Sequence, residues 1–250
     1  MYRIYFLVFL VFFSLTFCAK KKPQVSNHIS YPVKMFDYSR FTRRIQTYQK
    51  RAKKWYVQTH SVEEKTKVIK KTEAYLFTVF TDSLLPAWYG TRWDFNGMTR
   101  TPGQGAIACG SFVVFTLQDL GFKIPTRMLR QPAENIIKNL CSKKTIHHFS
   151  ARMSLPKIEQ WFLQKGTGIY IVGLDIHVGF VIVKNNKVTF CHSSYFNPPL
   201  QVVNEPLLTD NPFTRSRYKV VGRILTDDMV EKWIIGQPFE VRYDYEQGRE

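Results

Sequence analysis

Two strand-like segments flank the dipeptide Asn185-Asn186, and this arrangement constrains the fold more than any other feature of the chain. Valine, isoleucine and aromatic residues are frequent in residues 168–184 and 187–194, which is typical of β-strands. Asparagine tolerates the left-handed backbone conformations that a tight hairpin turn requires. We therefore expect an antiparallel hairpin whose turn is centred between Asn185 and Asn186.

The centre of this turn determines which residues of the two strands face each other. Gly179 then lies opposite His192, and His177 lies opposite Ser194. Because opposed side chains share a face of the sheet, His177 and His192 become diagonal neighbours about 7–8 Å apart at the backbone, and Gly179 leaves room between them. A register slip of one residue would separate them. The alternative is that His177 and His192 are ordinary, half-exposed strand histidines.

Cys109 stands between a loop of small residues and a strongly apolar segment. Val113, Leu117 and Leu120 recur at helical spacing, and Gly121 supplies a C-terminal stop. Cys109 is therefore expected at, or one residue before, the N-terminus of a buried helix, where unpaired N–H groups and the helix dipole favour a thiolate. This placement makes it a candidate nucleophile, with a buried structural cysteine as the alternative.

The order of these motifs resembles that of the NlpC-type cysteine peptidases of the papain-like superfamily. The similarity extends from about Trp88 to Ser194 and depends on three segments: Ala-Cys-Gly-Ser-Phe-Val from position 108, His-Val-Gly-Phe-Val from position 177, and Phe-Cys-His-Ser-Ser from position 190. The resemblance implies that Cys109 is the nucleophile, His177 the general base and His192 the residue that orients the base. It also implies a papain-like fold and a peptide of the bacterial cell wall as substrate, typically cleaved between D-glutamate and a diamino acid.

The chain departs from the family pattern just before and around the cysteine. Ala-Cys-Gly-Ser stands where the family usually has Asp-Cys-Ser-Gly, and the aromatic-x-x-Gly-Gly element has no clean match. Its nearest equivalents begin at Trp88 and Trp93, in an aromatic loop of the kind that commonly forms a wall of a substrate cleft. The candidate substrate-binding residues are Trp88, Tyr89, Trp93 and Asp94. Asp94 would pair with a substrate amine or with Arg92.

Residues 1–18 have the features of a signal peptide. Arg3 precedes an apolar run from Ile4 to Phe17, which is too short to span a bilayer comfortably. The segment that ends at Cys18 is similar to a bacterial lipobox, so lipidation at Cys18 and ordinary cleavage nearby both stay open. The lysines at 20–22 argue against export by the positive-inside tendency. We expect an exported, periplasmic or cell-envelope protein in which residues 19–36 form a tether.

The net charge of +17 indicates a polyanionic partner or an anionic surface. Basic residues are concentrated between Asp37 and Lys71. No helix-turn-helix signature, aromatic RNA-binding motif or zinc-binding spacing accompanies them, so we expect no nucleic acid. Contact of this basic region with an anionic membrane or a cell-wall polymer fits better, and a scattered, solvated basic face is the plain alternative.

Further elements are expected to complete an α+β catalytic domain over residues 37–250, in which the catalytic helix packs on an antiparallel sheet. An amphipathic helix should run from about Val62 to Leu84, opened by a capping box at Ser61 and ended by Pro86. Shorter helices are expected near residues 132–140, 154–163 and 227–235, and strands near residues 201–204, 218–225 and 239–243.

The remaining histidines and cysteines point to no metal and no cofactor. His147 and His148 lack further ligands at suitable spacing, so we interpret them as surface histidines. Apart from Cys18, the cysteines are an odd set without a disulfide framework: Cys109, Cys141 and Cys191. A Cys141–Cys191 bond stays open. Cys191 should point to the opposite face of its strand from His192, so we give it no catalytic role.

The sequence leads to one main functional expectation. A cysteine peptidase or amidase would hydrolyse an amide bond of peptidoglycan through Cys109, His177 and His192, with the N–H of Cys109 contributing to an oxyanion hole. The same chemistry on a related scaffold would cleave muramoyl-alanine amides or move acyl groups on lipids. The alternatives are a non-catalytic envelope protein that binds an anionic surface, in which Cys109 is unreactive, and a secreted toxin that acts on a rival's wall.

Overall fold

The computed structural model describes residues 37–241, which form an α+β fold of helices around a six-stranded antiparallel sheet. The expected signal peptide, the cysteine at position 18 and the tether lie outside the described residues. No helix within residues 37–241 is both long enough and apolar enough to cross a membrane.

The described chain begins with two long helices, α1 (Tyr38–Gln58) and α2 (Val62–Val79). The Ser61 side chain accepts a hydrogen bond from the Glu64 N–H at 3.1 Å, as the predicted capping box requires. A π-helical turn, Phe80–Leu84, follows α2 and leads into the short helix α3 (Leu85–Trp88). The prediction that Pro86 ends the helix is wrong, because Pro86 lies at the start of α3, which continues the helical run to Trp88.

The sheet has the strand order β3-β8-β4-β5-β6-β7, and every neighbouring pair is antiparallel. Its strands are β3 (Ile146–Phe149), β4 (Gly168–Leu174), β5 (Val178–Lys184), β6 (Lys187–Ser193), β7 (Val202–Pro206) and β8 (Lys219–Ile224). Two short strands, β1 (Arg92–Trp93) and β2 (Ala106–Ile107), pair in parallel outside this sheet. The strand expected at 239–243 is absent from its described part, residues 239–241. The Phe239 N–H donates instead to the Lys123 carbonyl at 2.9 Å, and its ring is buried against Phe122.

Helices cover both faces of the sheet. On one face, α4 (Cys109–Asp119) and α5 (Ala133–Leu140) pack through apolar side chains against β4 and β5, and α6 (Leu155–Lys165) packs on the other face. The helix α8 (Asp227–Ile235) contacts α1 and α2, and α7 (Pro212–Arg215) precedes β8. The start of α4 therefore lies beside the beginning of β5, and this is the region where the candidate site forms.

The β5–β6 hairpin has the register expected from its turn. Phe180 pairs with Cys191 and Lys184 pairs with Lys187, while Asn185 and Asn186 have φ angles of 51° and 57°. Two successive positive φ angles are what the tight hairpin turn with a right-handed twist requires. The predicted hairpin is thereby confirmed.

Candidate active site

Cys109 is the first residue of α4, directly after the extended residue Ala108. Its side chain is partly exposed and lines a cleft of about 770 Å³ that His177 also lines. Backbone N–H groups of Val178, Gly110 and Cys109 itself are close enough to the sulfur to interact with its charged form. The predicted position of Cys109 at the N-terminus of a buried helix is confirmed, and the start of β5 faces it.

Burial and backbone dipoles act on this thiol in opposite directions. Burial raises the pKa of Cys109 above its ordinary value of 9.0, and the three N–H groups only partly oppose that rise. Placement at a helix N-terminus alone predicts a thiolate. The structure corrects this expectation, because desolvation of the charged sulfur outweighs the helix terminus, so the resting side chain is a thiol.

His177 and His192 converge as the hairpin register predicts. Nε2 of His177 lies 2.8 Å from Nδ1 of His192, and both side chains are buried. The Leu174 N–H donates to the His177 carbonyl at 2.8 Å, which holds His177 at the last position before β5. The ring of Phe190 stacks on that of His192 with centroids 4.1 Å apart. A backbone hydrogen bond therefore holds His177 in position, and the ring of Phe190 holds that of His192.

The histidine pair is neutral near pH 7. Burial lowers the pKa of His177 well below its ordinary value of 6.5, and the neighbouring His192 lowers it further. Burial also lowers the pKa of His192, although Glu205 opposes that shift. The second ring nitrogen of His177, Nδ1, is buried and has no hydrogen-bond partner among residues 37–241. A buried, unpartnered nitrogen costs free energy, so its presence calls for an explanation, and a catalytic role is one.

Sequence reasoning missed Glu205, the residue at the other end of this hydrogen-bonded chain. Its Oε1 lies 3.0 Å from Nε2 of His192. Glu205 belongs to β7, where it pairs with Phe190 in the sheet register. The expected strand at 201–204 stopped one residue short of Glu205, whereas β7 continues to Pro206. Only the register in which β7 pairs with β6 would have identified Glu205. The long connection between these two strands does not determine that register.

Two of the four candidate substrate-binding residues lie away from the cleft. Trp88 is fully buried, and its indole N–H donates to the Tyr38 hydroxyl at 3.0 Å. Tyr89 is half-buried, and burial, aided by the nearby Cys191, raises the pKa of its hydroxyl. Neither residue lines the cleft. Trp88 is therefore a core residue, and its side chain has no exposed surface that a substrate could contact.

The other two candidates lie closer to the site without lining the cleft themselves. The Trp93 ring is 6.0 Å from the Tyr195 ring, which in turn is 5.1 Å from the ring of His177. The Asp94 carboxylate accepts a hydrogen bond from the Asn96 N–H at 2.9 Å and so holds the local turn. The aromatic loop reaches the cleft through the residues that follow: Phe95, Asn96 and Met98.

Three apolar side chains at the cleft are unusually exposed. Phe95 is 80% exposed, Met98 is 53% exposed and Ile176 is 78% exposed, and all three line the cleft that contains Cys109. We call these three residues the apolar rim. Single exposed apolar residues are common, whereas a group around one concave site is typical of a binding surface.

The other cysteines and histidines form no second site in residues 37–241. Cys141 and Cys191 are both buried and free, so no disulfide joins them, and burial raises the pKa of each thiol. Cys191 packs in the core on the α4 side of the sheet, away from His192. His147 stacks on Trp161 with ring centroids 4.8 Å apart. No group of three or more potential metal ligands occurs among the described residues.

Comparisons with protein-family models, with curated proteins and with solved structures found no match to this chain. Function is therefore inferred from the geometry of Cys109, His177, His192 and their surroundings.

Proposed function

We propose that this protein is a cysteine peptidase or amidase with an NlpC-type, papain-like arrangement of Cys109, His177 and His192. One observation carries the proposal. His177 uses Nε2 to contact His192 at 2.8 Å, its buried Nδ1 has no partner in the described part of the chain, and the residue shares a cleft with Cys109. A histidine oriented through one nitrogen and unpartnered at the other, in the same cleft as a cysteine, has the form of a general base for that cysteine.

The pKa directions indicate how the nucleophile forms. Burial raises the pKa of Cys109 and lowers that of His177, so the resting pair is a neutral thiol and a neutral imidazole. On this basis, Nδ1 of His177 accepts the thiol proton as the sulfur attacks the amide carbonyl carbon. The N–H groups at the start of α4, that of Cys109 among them, stabilise the oxyanion. His177 then delivers the proton to the departing amine, and water hydrolyses the thioester.

The proposed substrate is a bacterial cell-wall peptide, with the bond between D-glutamate and a diamino acid as the site of cleavage. The order of the motifs at 108–113, 177–181 and 190–194 and the α+β fold support this assignment. We place the protein in the cell envelope, exported by residues 1–18 and either cleaved there or lipid-anchored at Cys18.

The basic helix α1 supports a location next to an anionic surface. Its arginine and lysine side chains are exposed, while its buried residues Ile45, Tyr48 and Ala52 face the fold. The exposed basic residues of α1 are Arg40, Arg43, Arg44, Lys50, Arg51, Lys53 and Lys54. We propose that this face contacts an anionic membrane or a cell-wall polymer, since a solvated cationic surface is attracted to such a partner at low ionic strength.

A second candidate function is the removal or transfer of a lipid acyl group by the same thiol. The apolar rim favours it, because peptidoglycan stem peptides are polar whereas Phe95, Met98 and Ile176 offer apolar surface next to Cys109. The chemistry of attack is unchanged, and only the group attached to the carbonyl differs. The two candidates therefore predict different substrates for one nucleophile.

A single experiment tests the proposal and separates the two substrates. The full chain is incubated with peptidoglycan fragments and with N-acyl amides of increasing chain length, and products are identified by mass spectrometry. Cys109→Ala and His177→Ala should abolish cleavage, whereas Cys141→Ala and His148→Ala, which alter residues outside the cleft, should not. Cleavage that persists in Cys109→Ala contradicts the proposal. Absence of cleavage, together with a Cys109 that alkylates equally fast in the His177→Ala variant, favours the non-catalytic envelope protein.

A further inference from the structure

We infer that Glu205 is a positioning residue that determines, through His192, which nitrogen of His177 carries the proton. The contacts form an unbroken chain. Glu205 Oε1 lies 3.0 Å from His192 Nε2, and His192 Nδ1 lies 2.8 Å from His177 Nε2. His192 has no exposed surface and His177 is 3% exposed. In so buried a chain, both nitrogens of His192 and Nε2 of His177 find their partners within the chain itself.

The direction of every hydrogen bond follows from the carboxylate. A carboxylate only accepts hydrogen bonds, so Nε2 of His192 carries a proton and donates a hydrogen bond to Glu205. Burial lowers the pKa of both histidines, so each ring is neutral and carries one proton. Nδ1 of His192 is then an acceptor, and Nε2 of His177 is the donor to it. His177 is left with an unprotonated Nδ1, the buried nitrogen that has no partner.

Glu205 is itself held in place. Thr209 Oγ1 donates to its Oε2 at 3.1 Å, so the second carboxylate oxygen is also engaged. In the sheet, Glu205 lies opposite Phe190, whose ring stacks on His192. The carboxylate thus stands at a defined position beside the ring that it orients. Its negative charge would also stabilise the imidazolium that forms when His177 takes a proton.

This inference rests on the proposed function for its role in catalysis, but not for the protonation pattern itself. The tautomer of a histidine is read directly from the ¹⁵N chemical shifts of its ring, because protonated and unprotonated nitrogens have well-separated shifts. The full chain is labelled with ¹⁵N-histidine, and the signals of His177 and His192 are assigned by comparison with His177→Gln and His192→Gln. No substrate is needed for this measurement.

Two substitutions separate the acceptor oxygen of Glu205 from its charge. Glu205→Gln keeps an oxygen that accepts from His192 Nε2 and removes the charge. Glu205→Met has a similar length and removes both. We expect the wild-type tautomers in Glu205→Gln and a second set of ring signals, with protonated Nδ1 on His177, in Glu205→Met. Glu240→Met, at an exposed glutamate, is the matched control and should leave the ring signals unchanged.

Kinetic measurements on the same variants test the positioning role. We expect Glu205→Met to lower kcat about 100-fold and Glu205→Gln about 10-fold, the range seen when a second partner of a functional histidine is removed, with KM nearly unchanged. A proton on Nδ1 of His177 in the wild type, or wild-type tautomers in Glu205→Met, would overturn the inference. If the wild type shows the expected tautomers and cleaves none of the substrates, the proton pattern is upheld and the proposed function fails.

Discussion

Gly179 lies directly against His192, and the structure leaves no space for a side chain between them. A Cβ atom added to Gly179 would lie 2.8 Å from Cβ of His192 and 2.7 Å from the ring of Phe190. Such distances force neighbouring atoms to move, and overpacking of this kind typically costs about 1–3 kcal/mol. We predict that Gly179→Ala lowers the free energy of unfolding by this amount and also reduces cleavage, because His192 must shift.

Urea denaturation of both proteins measures the change in stability. Gly110→Ala is the matched control, since a Cβ added there finds its nearest neighbour at 3.7 Å, an ordinary contact. The control should unfold at nearly the same urea concentration as the wild type. Equal stability of Gly179→Ala and the wild type would show that the two strands are not packed as closely as described.

The protonation state of Cys109 in the free protein determines how its reactivity varies with pH. Because burial raises the pKa of Cys109 and lowers that of His177, a stable thiolate–imidazolium pair is not expected in the free protein. The rate at which iodoacetamide alkylates Cys109 should therefore rise steadily from about pH 6 to about pH 9, without a plateau in the acid range. Peptide mapping by mass spectrometry follows Cys109 separately, with the buried Cys141 as an unreactive control. A plateau below about pH 7 would instead indicate an ion pair.

Acid should weaken the fold through the histidine pair. The pKa of His177 lies well below its ordinary value of 6.5 in the folded state, whereas an unfolded chain binds the proton near that value. The unfolded state therefore gains protons first as the pH falls, so this contribution to stability is complete above about pH 6.5 and decreases below it. We predict that the wild type loses up to about 1.4 kcal/mol per pH unit more than His177→Gln below this pH. Urea denaturation at several pH values tests this, with the exposed His148→Gln expected to follow the wild type. Parallel losses in the wild type and His177→Gln would contradict it.

The apolar rim offers a prediction about substrate choice. Phe95→Ser and Ile176→Ser remove exposed apolar surface next to the cleft, so neither should alter stability by more than a few tenths of a kcal/mol. If the substrate carries an acyl chain, each substitution should lower kcat/KM for the long-chain amide about 10-fold, equivalent to ~1.4 kcal/mol of lost apolar contact. Activity toward a polar muropeptide should then be unchanged. Val57→Ser, at a residue of α1 that is 64% exposed, is the matched control. Equal effects on both substrates would count against a role of the rim in substrate choice.

The parts of the site that follow from short stretches of chain could be predicted. The turn at Asn185 and Asn186 places His177 and His192 on one face because turn geometry sets the register of the two adjoining strands. Cys109 was placed correctly at the start of α4 because apolar spacing and a glycine stop delimit a helix locally. In both cases the residues that determine the structure are neighbours in the chain.

Long-range packing placed two residues differently from what the local composition suggested. The sequence predicted that Trp88 lies in an aromatic loop. It is instead the last residue of α3 and is fully buried in the core. Similarly, Phe239 has the character of a strand residue, but it packs on Phe122 and its N–H bonds to the Lys123 carbonyl. Such choices depend on which surface is available after the elements assemble, and a local pattern does not contain that information.

The sequence by itself determined the position of Cys109 at the start of a helix and the positions of His177 and His192 in one hairpin. Only the tertiary structure brought Glu205 to His192, because β7 reaches β6 through a connection whose length does not set the register. It also decided the state of Cys109, since the helix terminus favours a thiolate whereas burial raises the pKa. Both outcomes depend on desolvation and on contacts between distant segments, which arise only when the chain is packed.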